Sequence, residues 1–80
     1  MSDWREDRII SVANAMLASD GADAGGASTG ERIAGALLAG HPEWGGYTDS
    51  EGRTDVVAMI DRLGDEWLNL VRDLQGMVAT

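Results

Sequence analysis

The sequence predicts an all-α protein, a compact bundle of about four short helices in a single domain over residues 1–80. Three observations support this fold class. Apolar residues recur at steps of three and four, the spacing that places them on one face of an α-helix. No segment alternates apolar and polar residues as a half-buried β-strand does. Nine of the eleven glycines fall in loops or at the ends of apolar segments, where helices stop.

The first helix is expected to begin at Ser2 or Asp3, because Asp3 and Glu6 have the spacing of a capping box. It should end at Gly21, since glycine readily adopts the left-handed conformation of a helix C-terminus. Trp4 falls outside the apolar face, either as an exposed anchor or packed on a neighbouring loop. The apolar face itself comprises Ile9, Val12, Ala13 and Met16, widened by Ile10 and Leu17.

The second helix should start near Ser28 or Thr29, where Ser28 and Glu31 form another capping box. Gly40 ends it, and Pro42 begins a short helical turn, since proline is tolerated only in a first turn. We expect this helix to be central, because its apolar residues cover more than half of its circumference. They are Ile33, Ala34, Ala36, Leu37 and Leu38.

The third helix is expected to begin at Thr54, with Asp55 in its first turn, and to end at Gly64. Asp65 would cap the final helix almost at once, so the last two helices should form a tight corner. The final helix spans residues 65–78. The predicted buried residues are Val56, Val57, Met59, Ile60 and Leu63 in the third helix, and Trp67, Leu70, Val71, Leu74, Met77 and Val78 in the fourth.

The composition limits the classes of partner. Fourteen acidic residues against six arginines and no lysine give a net charge of -8, which disfavours direct contact with nucleic-acid phosphates and favours basic protein partners. The chain has no cysteine, so neither a disulfide nor a thiolate ligand is expected, and a reducing cytoplasm is the natural setting. No run of about 18 apolar residues could span a membrane, and the charged N-terminus is unlike a secretion signal.

Residues able to carry catalysis or bind metal are few. The single histidine, His41, lacks a nucleophile and an orienting acid at suitable spacing, and we interpret it as a surface or hinge residue. Residues 20–30 are glycine-rich but lack the strand and lysine of a phosphate-binding loop, which favours a mobile connector. Asp49, Glu51 and Asp55 do not follow the order of an EF-hand. The sequence therefore predicts a protein that is not an enzyme, with no metal or cofactor.

The acidic charge is concentrated in residues 43–66, where seven acids face two arginines for a net charge of -5. Carboxylates on a rigid helical body can imitate DNA phosphates and engage a basic protein surface, although a solvated face is the alternative interpretation. Aromatic residues beside them either anchor a partner or cover the ends of the bundle. The candidate partner-binding residues are Asp49, Glu51, Asp55, Asp61, Asp65, Glu66, Trp44 and Tyr47.

Half of the chain, residues 29–67, resembles small helical proteins of Pseudomonas-type phages and mobile elements. The likeness is carried by residues 29–34 (TGERIA), 41–44 (HPEW), 46–48 (GYT) and 61–67 (DRLGDEW), while the loop at residues 49–53 departs from the pattern. Small, acidic, cysteine-free proteins of that setting are similar to anti-CRISPR inhibitors of type I systems. The resemblance implies an inhibitor in the host bacterial cytoplasm that binds the CRISPR surveillance complex (Cascade) and blocks target DNA binding, as an acidic DNA mimic.

A second class of function stays open from the sequence. The chain would then be a small phage regulatory or structural protein that self-associates through helix faces or binds a host transcription factor. The inhibitor hypothesis predicts a monomer or weak dimer, whereas a stable oligomer with buried acids would favour the second class. A helix-turn-helix DNA-binding protein is not expected, because the final helix carries Arg72 as its only basic residue.

Overall fold

The computed structural model describes residues 4–78, with side chains as far as residue 75. Four α-helices follow one another, and their presence confirms the all-α class. Within the described residues, the only strand-like pairing is an isolated bridge between Thr48 and Thr54. No described helix is both long and apolar enough to cross a membrane. The helices are α1 (Trp4–Ser19), α2 (Thr29–Ala39), α3 (Val56–Leu63) and α4 (Asp65–Val78), with a 3₁₀ helix at Pro42–Gly45.

The start of α2 has the hydrogen bonds that its sequence predicts. The hydroxyl of Ser28 accepts the Glu31 N–H at 3.3 Å, and the Glu31 carboxylate accepts the Ser28 N–H at 2.9 Å. These two bonds satisfy donors that a helix N-terminus otherwise leaves free. The capping box expected at Asp3 lies outside the described residues.

The corner between α3 and α4 is made by one residue. Gly64 donates its N–H to the carbonyl of Ile60 at 3.1 Å and accepts the N–H of Leu68, also at 3.1 Å. Its φ of 85° is accessible to glycine at little cost. Gly64 therefore ends one helix and begins the next, and Asp65 lies in the first turn of α4 rather than capping it.

The start of α3 lies two residues beyond the expected one, at Val56 rather than Thr54. Asp55 is the N-cap, and its carboxylate accepts the Ala58 N–H at 3.0 Å. Thr54, the expected first residue, instead pairs with Thr48 across the preceding loop. The stronger hydrogen-bond acceptor takes the cap, and the threonine closes the loop that leads into it.

The core is built on close packing of α1 against α2. Four consecutive residues of α2 are buried, Ile33 to Ala36, which makes this helix central as the sequence predicts. A Cβ atom placed on Gly35 would lie 2.5 Å from Cγ1 of Val12, so the two helices approach closely only because this residue has no side chain. The buried apolar side chains are Ile9, Val12, Ala13, Met16, Ile33, Ala34, Ala36, Met59, Leu63, Val71 and Leu74.

The apolar face of α3 is not buried as the sequence predicts. Only Met59 and Leu63 are in the core, while Val56, Val57 and Ile60 are 38%, 79% and 39% exposed. The reason is geometric, because α3 has eight residues and contacts α2 and α4 along one edge. In α1, Ile10 and Leu17 are likewise exposed rather than part of the buried face.

Replacing Gly35 with alanine should destabilise the fold by about 1–3 kcal/mol, because the new methyl group overlaps Val12 and also lies 3.2 Å from the Ala13 backbone nitrogen. Gly30→Ala is the matched control. It lies in the first turn of the same helix, where an added Cβ meets nothing within 4 Å, and should be neutral or stabilising by about 0.5 kcal/mol. Urea denaturation of both variants measures the difference, and equal stabilities would contradict the close approach.

Candidate partner-binding surface

The loop between the 3₁₀ helix and α3 is organised by Asp49. One carboxylate oxygen accepts the backbone N–H groups of Glu51 at 2.8 Å and Arg53 at 3.0 Å. The other oxygen lies 3.3 Å from Nε of Arg53, whose Nη2 lies 3.1 Å from the Glu51 carboxylate. A single arginine therefore pairs with two of the six candidate carboxylates, and the loop folds back on itself.

These hydrogen bonds lower the pKa of Asp49 below its ordinary value. The N–H groups of Arg53 and Glu51 are the main cause, because they stabilise the ionised carboxylate, and the Arg53 side chain adds to the effect. The folding free energy that this ionised form contributes is present above the ordinary pKa of an aspartate. It is lost as the pH falls through the lowered pKa.

Two further candidate carboxylates also have partners within the chain. Asp55 caps α3, so its charge stabilises the N-terminal end of that helix. Glu66 forms an ion pair with Arg5 of α1, and the guanidinium of Arg5 lies 6.0 Å from the ring centroid of Trp67. Since the Glu66 side chain is 74% exposed, this pair is on the surface, where such interactions stabilise a fold only weakly.

Asp61 and Asp65 are the two candidate carboxylates that the structure leaves without a described partner. Asp61 lies on α3 and Asp65 begins α4, on either side of Gly64, and both are exposed. Neither carboxylate accepts a hydrogen bond or forms an ion pair among the described residues. The corner between the two helices therefore presents negative charge to solvent.

The candidate aromatic residues are half-buried and help to cover the bundle. Trp44 packs on the cluster that contains Val12 and Met16, and its ring stacks on His41 with centroids 4.0 Å apart and planes at 16°. The Trp44 carbonyl accepts a hydrogen bond from Nε of Arg32 at 2.9 Å. Tyr47 packs against the larger core cluster. Of the two roles considered for these residues, the packing role is the one with visible contacts.

Three apolar residues belong to the candidate surface although the sequence predicts them to be buried. On α3, Val57 is largely exposed and Val56 and Ile60 are partly exposed, and Ile60 directly precedes Asp61. The signal was present in the chain, because Asp55 and Gly64 leave room for only two helical turns between them. Two turns offer few positions that can face a core, so a wide apolar face must remain partly outside.

Among the described residues, the candidate site is an exposed surface and not a pocket. No cavity opens among them, and no three His, Asp or Glu side chains come together in a way that could hold a metal ion. The surface at the corner of α3 and α4 combines free carboxylates with exposed aliphatic side chains. That combination suits recognition of another macromolecule.

The apparent pKa of Asp49 should be measured in the intact chain and in Arg53→Gln. Because the backbone N–H groups remain in the variant, we expect its pKa to stay below the ordinary aspartate value. Titration followed by NMR of the side-chain carboxyl provides the measurement. A return to the ordinary aspartate value in Arg53→Gln would show that the guanidinium, and not the backbone N–H groups, lowers the pKa of Asp49.

Comparison with known proteins assigns no family to this surface. Searches against protein families, curated proteins and solved structures find no match for the chain. The likeness of residues 29–67 to phage proteins therefore stays an expectation.

Proposed function

We propose that the protein acts by binding, without catalysis, and that it places the corner of α3 and α4 in a basic groove of another protein. The observation that carries this proposal is the pair Asp61 and Asp65, exposed and without a described partner on a chain of net charge -8. Following the resemblance, the partner is the type I surveillance complex Cascade. Occupation of its DNA-binding surface would keep target DNA away.

The six candidate carboxylates are not equivalent in this proposal. Asp49 is held by backbone donors and Asp55 by the start of α3, so both stabilise the fold and contribute little direct contact. Glu51 and Glu66 are paired but largely exposed, and a partner's arginine can replace Arg53 or Arg5 at small cost. We therefore expect Asp61 and Asp65 to make the main contacts with the partner, and Glu51 and Glu66 to make secondary ones.

Charge also affects the rate of encounter. A negatively charged body approaches a positively charged groove faster than a neutral one, and screening by salt removes much of that advantage. Binding through the acidic corner should therefore weaken steeply between low and high ionic strength. A contact made mainly by half-buried aromatic residues such as Trp44 would show little dependence on salt.

Self-association is the second candidate function, and one observation favours it. Ile10 and Leu17 lie seven residues apart on one side of α1 and are both exposed, as are three aliphatic residues of α3. Two copies would, however, bring together charges of -8 each. Sedimentation across a range of concentrations separates the two functions, since a stable oligomer would favour self-association.

The double variant Asp61→Asn/Asp65→Asn should inhibit target DNA binding by a purified type I surveillance complex less than the unaltered chain does. We expect about a fivefold to tenfold higher concentration of the variant for half-maximal inhibition, because two rim charges are removed from the contact. The measurement is a gel shift of labelled target DNA in the presence of increasing inhibitor. Circular dichroism establishes that the helices remain intact.

Asp20→Asn/Asp73→Asn is the matched control, because it removes the same charge from exposed positions elsewhere. Asparagine also tolerates the positive φ of 56° at residue 20. If both double variants weaken inhibition equally, overall charge rather than the corner is responsible. If the unaltered chain fails to reduce DNA binding by type I complexes, the proposed function is wrong.

A further inference from the structure

The exposed aliphatic side chains of α3 form one continuous strip. Val56 and Ile60 are four residues apart and Val57 and Ile60 three apart, so the three side chains are neighbours on the helix surface. We refer to Val56, Val57 and Ile60 as the apolar strip. Of the four helices, α3 separates polar from apolar residues most sharply, yet more than half of its apolar face is left outside the core.

The edge of the apolar strip is negatively charged. Asp61 is four residues beyond Val57 and therefore lies one turn along on the same side of the helix. Asp65 follows directly after the corner at Gly64. The only arginine of α3, Arg62, is turned by roughly 120° or more from each residue of the strip at 100° per residue. No positive charge of the same helix therefore adjoins the strip.

A second copy of this chain is a poor occupant of the strip. In a symmetric pair of α3 helices, both copies would bring Asp61 to the shared side and neither would bring the arginine of α3, because Arg62 lies on another side of the helix. Each copy also carries a net charge of -8. The charge around the strip is complementary instead to a segment that combines aliphatic or aromatic side chains with arginine or lysine.

We propose that the apolar strip docks an amphipathic basic helix of the partner protein. This inference rests on the proposed function and specifies the partner's chemistry. Apolar residues of the partner helix cover Val57, the most exposed of the three, and flanking basic residues reach Asp61 and Asp65. Since α3 rises only about 12 Å over eight residues, about two turns of the partner helix are in contact.

The test uses the full chain and two synthetic helical peptides of about fifteen residues. Both peptides carry leucine on one face; one has arginine on the flanking positions and the other has glutamate. NMR titration of the isotope-labelled chain should show amide shifts on α3 and the first turn of α4 with the arginine peptide alone. An equal response to the glutamate peptide, shifts centred on α1, or no shift at millimolar peptide would overturn the proposal.

Val57→Ser and Leu17→Ser form a matched pair of variants. Both residues are exposed aliphatic side chains in helices, 79% and 51% accessible, so neither change should disturb the core. We expect Val57→Ser to weaken binding of the arginine peptide at least fivefold and Leu17→Ser to change it less than twofold. Equal effects of the two variants would contradict a specific role for the strip.

Failure of this inference can be told apart from failure of the proposed function. The peptide titration contains no surveillance complex, so peptide binding combined with a failure to displace DNA would refute only the proposed function. DNA displacement that is unchanged in Val57→Ser would refute only the docking of a helix on the strip. Concentration-dependent dimerisation that Val57→Ser abolishes would identify a second copy as the occupant and overturn the inference.

Discussion

The close contact between α1 and α2 is the constraint on which the rest of the fold depends. Gly35 allows the backbone of α2 to reach Val12, and the small side chains on either side of it, Ala34 and Ala36, are fully buried. Protein interiors pack as densely as organic crystals, so this contact fixes the separation and angle of α1 and α2, the two helices with the most extensive mutual contact. Helix α4 packs against both α1 and α2, and α3 packs against α2 and α4. Gln75 of α4, for example, donates to the carbonyl of Leu37 near the end of α2 at 3.1 Å.

Three arginines of the chain hold loops to helices or close a loop, and they do not neutralise the corner of α3 and α4. Arg8 binds Glu31 and the carbonyl of Gly25, and Arg32 binds the carbonyl of Trp44, so both fasten loops to helices. Arg53 closes the loop before α3. With fourteen acids and six arginines in the chain, most carboxylates cannot have an arginine of their own in any arrangement. The corner of α3 and α4 holds two such carboxylates, because Arg62 lies there and forms no ion pair with Asp61 or Asp65 among the described residues.

Helix positions could be read from the sequence because local chemistry sets them. The capping box at Ser28, the stop at Gly64 and the turn begun by Pro42 each depend on residues within a few positions of one another. Burial on α3 could not be read in this way. Helical periodicity shows which residues share a face, but the number covered depends on how many neighbouring helices reach that face. For the same reason the sequence suggested Asp55 and Glu66 as contacts for a partner, whereas the folded chain gives each a partner of its own.

Helix α3 is held by hydrogen bonds at its two ends and by two core residues, so its outer face is available for recognition. Asp55 satisfies a donor at one end, Gly64 satisfies an acceptor at the other, and Met59 and Leu63 hold the helix to the core. Met59 reaches over Gly45, where any side chain would meet its methyl group, so the helix is also fixed against the 3₁₀ helix. A helix already held in place loses little conformational entropy when a partner covers its exposed side. Leaving Val57 in water has a cost to the free chain, and a partner that removes it from water gains free energy from a surface that is already formed.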